Sequence, residues 1–169
     1  MLKLVFLKQK QKQKQEAISR IEEVKECKEK WQTKKGRLDK MQNIEVTFKK
    51  LVSWAKLPEY ETRGAAGCDV SIAIKEELVL YPNEVKTLPT GFAMMLPSGY
   101  EAQIRSRAGM AKKGIIVANA PGTIDCEHIG EVKVHLLNVT DKPVRILPGQ
   151  KVAQMVFAPI VQVQFVEEK

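Results

Sequence analysis

The stretch NAPGTIDCEHIGEVKVHLLN, residues 119–138, holds Asp125 between Ile124 and Cys126, after a Pro-Gly approach and before an alternating strand. A carboxylate in that setting has two readings. It can orient and deprotonate a water beside a bound ligand, or it can close a turn with its own backbone, as aspartates commonly do. A second cluster lies upstream in RSRAGMAKKG, residues 105–114, where four cations surround Gly109 among residues small enough to let a backbone approach a ligand. Amides that open a short helix beside cations make a phosphate cradle, and the same composition also suits a solvated loop. RGAAGCDV, residues 63–70, places two glycines and Asp69 where a strand begins. His128 and His135 lack the further ligands that a metal site requires, so both read as structural or stacking residues.

The elements that must position these groups are strands. From residue 44 the chain becomes a series of short Val- and Ile-rich segments: IEVTF, DVSIAI, LVLY, EVKTLPTGFAMML, YEAQIRS, GEVKVHLLNV, VRILPG and KVAQMVFAPIVQVQFV. Pro, Gly, Asn or Asp separates them. This pattern predicts an all-β domain, a distorted barrel or two-sheet jelly roll, rather than a parallel α/β sheet. Within it one short helix is expected, around Arg107 to Lys113, stopping at Gly114.

Length and charge divide the chain. A chain of 169 residues with 44% apolar composition supports one domain with a core, plus an appendage. The net charge of +8 belongs almost wholly to residues 1–43, where 13 Lys and Arg face 6 Asp and Glu; residues 44–169 hold 15 against 14. The expected boundaries are therefore a basic, helical extension at 1–43 and a β domain at 44–169. KQKQKQKQ reads as a solvated low-complexity arm, and a helix is expected from about residue 16 to residue 41. Ala17, Val24, Cys27, Trp31, Leu38 and Met41 follow a 3-4 spacing there, but Arg20, Lys34 and Gly36 weaken any coiled-coil seam. Met41 opens a strand-like MQNIEVTFKKL, so the residues before it read as an upstream extension. Such a basic tract attracts phosphate backbones weakly and without sequence preference. LKLVFL is too short to span a bilayer and lacks a cleavage site, so neither a membrane span nor a secretion signal is expected. Three widely spaced cysteines, Cys27, Cys68 and Cys126, form no disulfide framework and fit a reducing, cytoplasmic setting.

Taken together, AGCDV, RSRAGMA, NAPGTIDCEHIGEVKV and PGQKVAQMVF occur in an order that resembles the first four motifs of the trimeric dUTP pyrophosphatase (dUTPase) family, across roughly residues 44–166. The related dCTP deaminases share the fold and an Ile-Asp turn, but these segments resemble the dUTPase pattern more closely. The resemblance implies hydrolysis of dUTP to dUMP and pyrophosphate, with Mg²⁺, in a homotrimer whose active sites lie between subunits. It implies that Asp125 activates the attacking water and that Asn119, with the backbone of Gly122, Thr123 and Ile124, reads the uracil edge. Arg107, Ala108 and Gly109 would form the phosphate turn, with Gln154 near the phosphates, Lys133 on the strand after the base, and Asp69 helping to hold the metal through water. His128 would stack where the family has tyrosine.

Four departures from the pattern accompany the resemblance. Ala108 replaces a serine, His128 a tyrosine and Glu127 the usual second acid, and VQVQFVEEK carries no glycine-rich fifth motif. These changes imply a reduced rate. They also keep open a catalytically weakened homologue acting as a dUTP-binding or protein-interaction module, and a nucleic-acid accessory role for the basic arm.

Overall fold

The computed structural model describes residues 9–26, apart from 17, 20 and 24, and residues 43–168. It divides into two units, Met1–Asn43 and Ile44–Lys169. In the first unit, helical backbone (α1) is described at residues 9–16, 18–19, 21–23 and 25–26, with all its described side chains exposed. Helix therefore starts inside the Lys-Gln run, earlier than the sequence suggested. Lys and Gln are good helix formers, and neither Gly nor Pro interrupts residues 9–26. The 3-4 seam from Ala17 to Met41, with Arg20, Lys34 and Gly36, lies outside the described residues.

The second unit is a jelly roll. Its elements are β1 (Thr47–Lys50), β2 (Cys68–Ser71), β3 (Leu78–Leu80), β4 (Val85–Met95), β5 (Tyr100–Ser106), α2 (Ala108–Ala111), β6 (Ile115–Val117), β7 (Gly122–Ile124), β8 (Glu131–Asn138), β9 (Val144–Ile146) and β10 (Lys151–Pro159). Two four-stranded sheets, β1-β4-β8-β6 and β2-β10-β5-β7, are joined by a β3-β9 ribbon. Every strand pairing is antiparallel.

Alternation decides which residues face the core. On β8, Val132, Val134 and Leu136 are buried while Glu131, Lys133 and His135 point the other way. They join Phe92, Ile72, Ile115, Ile146 and Met155 in one apolar cluster, each large side chain stabilising by about 1.5–3 kcal/mol. Asn138, the polar residue at the end of β8, is fully buried and satisfied. Its Nδ2 donates to the carbonyls of Leu80 and Lys142, and its Oδ1 accepts from the amide and hydroxyl of Thr140.

On β10 the register shifts between Lys151 and Ala153, so Val152 and Ala153 are both buried. Such a bulge re-aims the residues on either side of it. Lys151 and Gln154, half-buried, are thereby both brought beside β2.

Three differences from the sequence reading concern pairing. β6 and β7, three residues each, exist because they extend sheet edges, β6 on β8 and β7 on β5. β10 ends at Pro159, opposite Tyr100, rather than running on to Val166. Beyond it Val161, Val163 and Phe165 alternate but are exposed, because alternation makes a strand only where a neighbour supplies hydrogen bonds.

Candidate active site

Asp125 follows β7 and closes a turn. Its Oδ1 accepts from the Glu127 amide at 3.2 Å, and its carbonyl accepts from the His128 amide at 3.3 Å. Both readings of this residue meet in one geometry. Tying one oxygen to the turn fixes the exposed carboxylate and leaves Oδ2 for a water.

The segment before that turn and the outward face of β8 wall a cleft of about 450 Å³. Asn119, Gly122, Thr123, Ile124, His128 and Lys133, all expected from the sequence, line it together. Gly122 is needed for close approach, since a Cβ there would come within 2.9 Å of Asn119 Nδ2. The Asn119 amide, exposed and bonded to no described group, presents a donor and an acceptor side by side, the complement of a pyrimidine edge. Lys133 is exposed and forms no ion pair among the described residues.

A second group gathers around Arg107, just past β5. Its Nε donates to Asp69 Oδ1 at 2.6 Å, its Nη2 to Asp69 Oδ2 at 2.8 Å, and its Nη1 to the Lys151 carbonyl at 3.2 Å. Of the guanidinium's five N–H donors, these bonds leave one on each Nη for the oxygens of a phosphate. Lys151 Nζ lies 3.1 Å from Asp69 Oδ2 and 2.9 Å from Glu61 Oε2. Its hydrogen bonds to Glu61 and then to Asp69 raise the ammonium above the ordinary lysine range.

Gln154 stands opposite Asp69 in the β2–β10 register, and its Nε2 donates to the Ser106 carbonyl at 3.0 Å. Ala108 and Gly109 open α2 and are exposed, with amides among those that a helix leaves unpartnered. A Cβ on Gly109 would meet nothing within 4 Å, so the clearance there is open to a group from outside the chain.

The donor set for a metal is thin. Among the described residues no three His, Cys, Asp or Glu side chains cluster around a cation site. Both Asp69 oxygens are occupied by Arg107 and Lys151. Asp69, expected to help hold a metal through water, here anchors the arginine.

The two groups are far apart within one chain. Ile124 pairs with Ala102, so Asp125 falls level with Glu101 at one end of β5 while Arg107 follows the other end. At ~3.3 Å per residue this separates them by about 20 Å along the strand. The sequence reading missed Lys151 and Glu61 in the arginine group, although Lys151 stands inside the PGQKVAQ motif. It also missed Glu131 and His135 in the cleft, for which the two-residue spacing from Lys133 was the available signal.

Fold and site define an all-β, two-sheet protein with a cleft of nucleoside size and a preformed cationic fork beside a glycine turn. A dUTPase family model matches residues 54–169, and the chain belongs to the dUTPase family. The deoxyuridine 5'-triphosphate nucleotidohydrolase of Hydrogenobaculum sp. (strain Y04AAS1) is 47% identical over 127 residues, covering 75% of this chain and 88% of that protein. The protein of the same name from Chlamydia trachomatis serovar L2 is 45% identical over 121 residues, covering 71% and 83%.

Solved structures share the fold. A mutant dUTPase from phage phi11 of S. aureus, whose structure reveals the coordination of a structural Mg(II) ion, superposes with a TM-score of 0.68 at 22% identity. The match covers 75% of this chain and 97% of that one. A mutant dUTPase of Staphylococcus bacteriophage 80alpha with dUpNHpp gives a TM-score of 0.68 at 23% identity, covering 75% and 89%.

No described helix is long and apolar enough to cross a membrane.

Proposed function

We propose that the chain hydrolyses dUTP to dUMP and pyrophosphate in sites assembled between the copies of a homotrimer. The observation that carries the assembly is the separation of about 20 Å between Asp125 and Arg107, too far for both to act on one phosphorus. A second copy that brings its Arg107 group to the first copy's cleft completes the site. Repeated head to tail, this contact closes a ring, and the resemblance to the trimeric enzymes supports three copies.

Asn119 and the Gly122–Ile124 backbone bind the base, His128 packs its flat ring on the sugar, and Lys133 adds a cation at the rim. Arg107 directs its two remaining N–H groups at the phosphates, beside the amides of Ala108 and Gly109, with Asp69, Gln154 and Lys151 holding the turn in shape. Asp125 takes a proton from a water whose oxygen attacks the α-phosphorus. The bond from that phosphorus to the bridging oxygen breaks and pyrophosphate departs. Magnesium fits as part of the substrate, carried on the triphosphate as Mg²⁺ usually is where few carboxylates are available, and there it neutralises phosphate charge. Two unpaired described cysteines, Cys68, whose thiol burial pushes up to about 11, and half-buried Cys126, support a reducing, cytoplasmic setting.

Formation of dUMP by the purified chain with Mg²⁺ tests the activity; its absence refutes the reading. The shared site has a sharper test. Asp125→Asn and Arg107→Lys chains are each nearly inactive, but co-expressed one to one they regain roughly a quarter of wild-type turnover, because one interface in four draws both intact residues. No recovery in a demonstrated mixed trimer refutes assembly between copies.

Ala108 stands where the resembled motif carries a hydroxyl, which would bond the phosphate bridge. Ala108→Ser is therefore expected to raise turnover at least about tenfold, or ~1.4 kcal/mol of barrier, measured as steady-state kcat. We assign the basic extension a separate, weak contact with nucleic acid. A chain beginning at Met41 is expected to remain a trimer of unchanged Tm and to lose low-salt binding to nonspecific DNA, since most of the net charge leaves with the extension. Gel filtration, thermal melting and salt-dependent DNA titration check this.

A further inference from the structure

His135 is a cleft residue to which the reaction above gives no role. It shares the outward face of β8 with Lys133, and its ring lines the same cleft as Asn119. Its backbone is tied to the Asn119 segment, since the Ala118 amide donates to the His135 carbonyl at 2.8 Å. Its Nδ1 lies 2.8 Å from the hydroxyl of Thr87, the residue directly opposite on β4. With Nδ1 committed there, Nε2 is the ring nitrogen left for a ligand, and no described group bonds it. A hydrogen bond at one imidazole nitrogen decides whether the other donates or accepts.

We propose that His135 is a specificity-determining residue that reads the pyrimidine edge beside Asn119. Thr87 donates its hydroxyl proton to Nδ1, which places the imidazole proton on Nε2. That N–H donates to the 4-oxo oxygen of uracil. Cytosine presents an amino group at the same position, which meets the N–H donor-to-donor and leaves both unpaired. Thr87 does not touch the base; it acts through the tautomer of His135.

The inference rests on the cleft being the nucleoside site, so the test measures base preference independently of turnover. Affinities of the full chain for dUMP and dCMP are compared by calorimetry in the wild type, His135→Phe, His135→Gln and Thr87→Val. His135→Phe keeps a flat ring and removes both nitrogens. It is expected to weaken dUMP about tenfold and leave dCMP unmoved. His135→Gln, which restores an N–H donor, recovers part of the preference. Thr87→Val, at an exposed position that the fold does not depend on, shifts the preference in the same direction by less. It adds nothing further when combined with His135→Phe.

Equal weakening of dUMP and dCMP, or no change in dUMP, overturns the assignment. If His135→Phe fails to fold, an unchanged dUMP preference in Thr87→Val overturns it alone. A wild type that hydrolyses dUTP and prefers dUMP while the variants match it removes only His135 from the reading. A wild type that neither binds dUMP nor hydrolyses dUTP removes the nucleoside site with it.

Discussion

Asp125→Asn is expected to lower dUTP turnover by about 10³-fold, ~4 kcal/mol of barrier, while nucleotide affinity stays within about threefold. The substitution preserves shape. The asparagine oxygen still accepts from the Glu127 amide, as Oδ1 does at 3.2 Å, so the turn and the cleft beside it keep their geometry. What disappears is an oxygen able to take a proton. Single-turnover release of dUMP, set beside calorimetric binding of a non-hydrolysable dUTP analogue, separates the two effects. Turnover equal to wild type would show that the carboxylate only closes the turn.

Arg107→Lys carries the second large effect, a loss of about 10²-fold in kcat/KM, or ~2.7 kcal/mol. Lysine keeps the positive charge beside Asp69, whose side chain is only 12% exposed and would otherwise be left to Lys151 alone. The fold is therefore expected to survive. The two remaining donors are lost, because an ammonium cannot bond a carboxylate side-on while holding further N–H groups in one plane toward phosphate. Steady-state kinetics with Mg²⁺ and dUTP measure the change, and thermal melting shows that it is not unfolding. Retention of full kcat/KM would mean that charge alone, not the fork, serves the phosphates.

How far the sequence was legible depended on whether a signal was local. YEAQIRS became β5 at the same residues, and the alternation of EVKVHLLN set the two faces of β8, because a period of two depends only on neighbouring residues. Asn119, Gly122 and His128 were found together because one segment of ten residues carries them.

The ion pair of Arg107 with Asp69 joins residues 38 apart, and no periodicity reports such a partner. It gives Asp69 a task that the motif did not announce. β6 and β7 went unread because one directly follows the helical turn and the other lies in the Pro-Gly approach to Asp125, and only a waiting sheet edge makes them strands. The segment after Pro159 failed in the opposite sense. Its alternation is clear, but among the described residues no strand pairs with it.

Asp69 on β2, Gln154 on β10 and the arginine after β5 are neighbours across one sheet but are drawn from nearly the whole length of the domain. Pairings of such high sequence separation are the slow events in folding, because a long loop must be closed before any contact repays it. The cleft shares this dependence, since β7 is held by β5 and β8 by β4 and β6. A ligand of either group is therefore expected to stabilise only chains whose distant strands have already met.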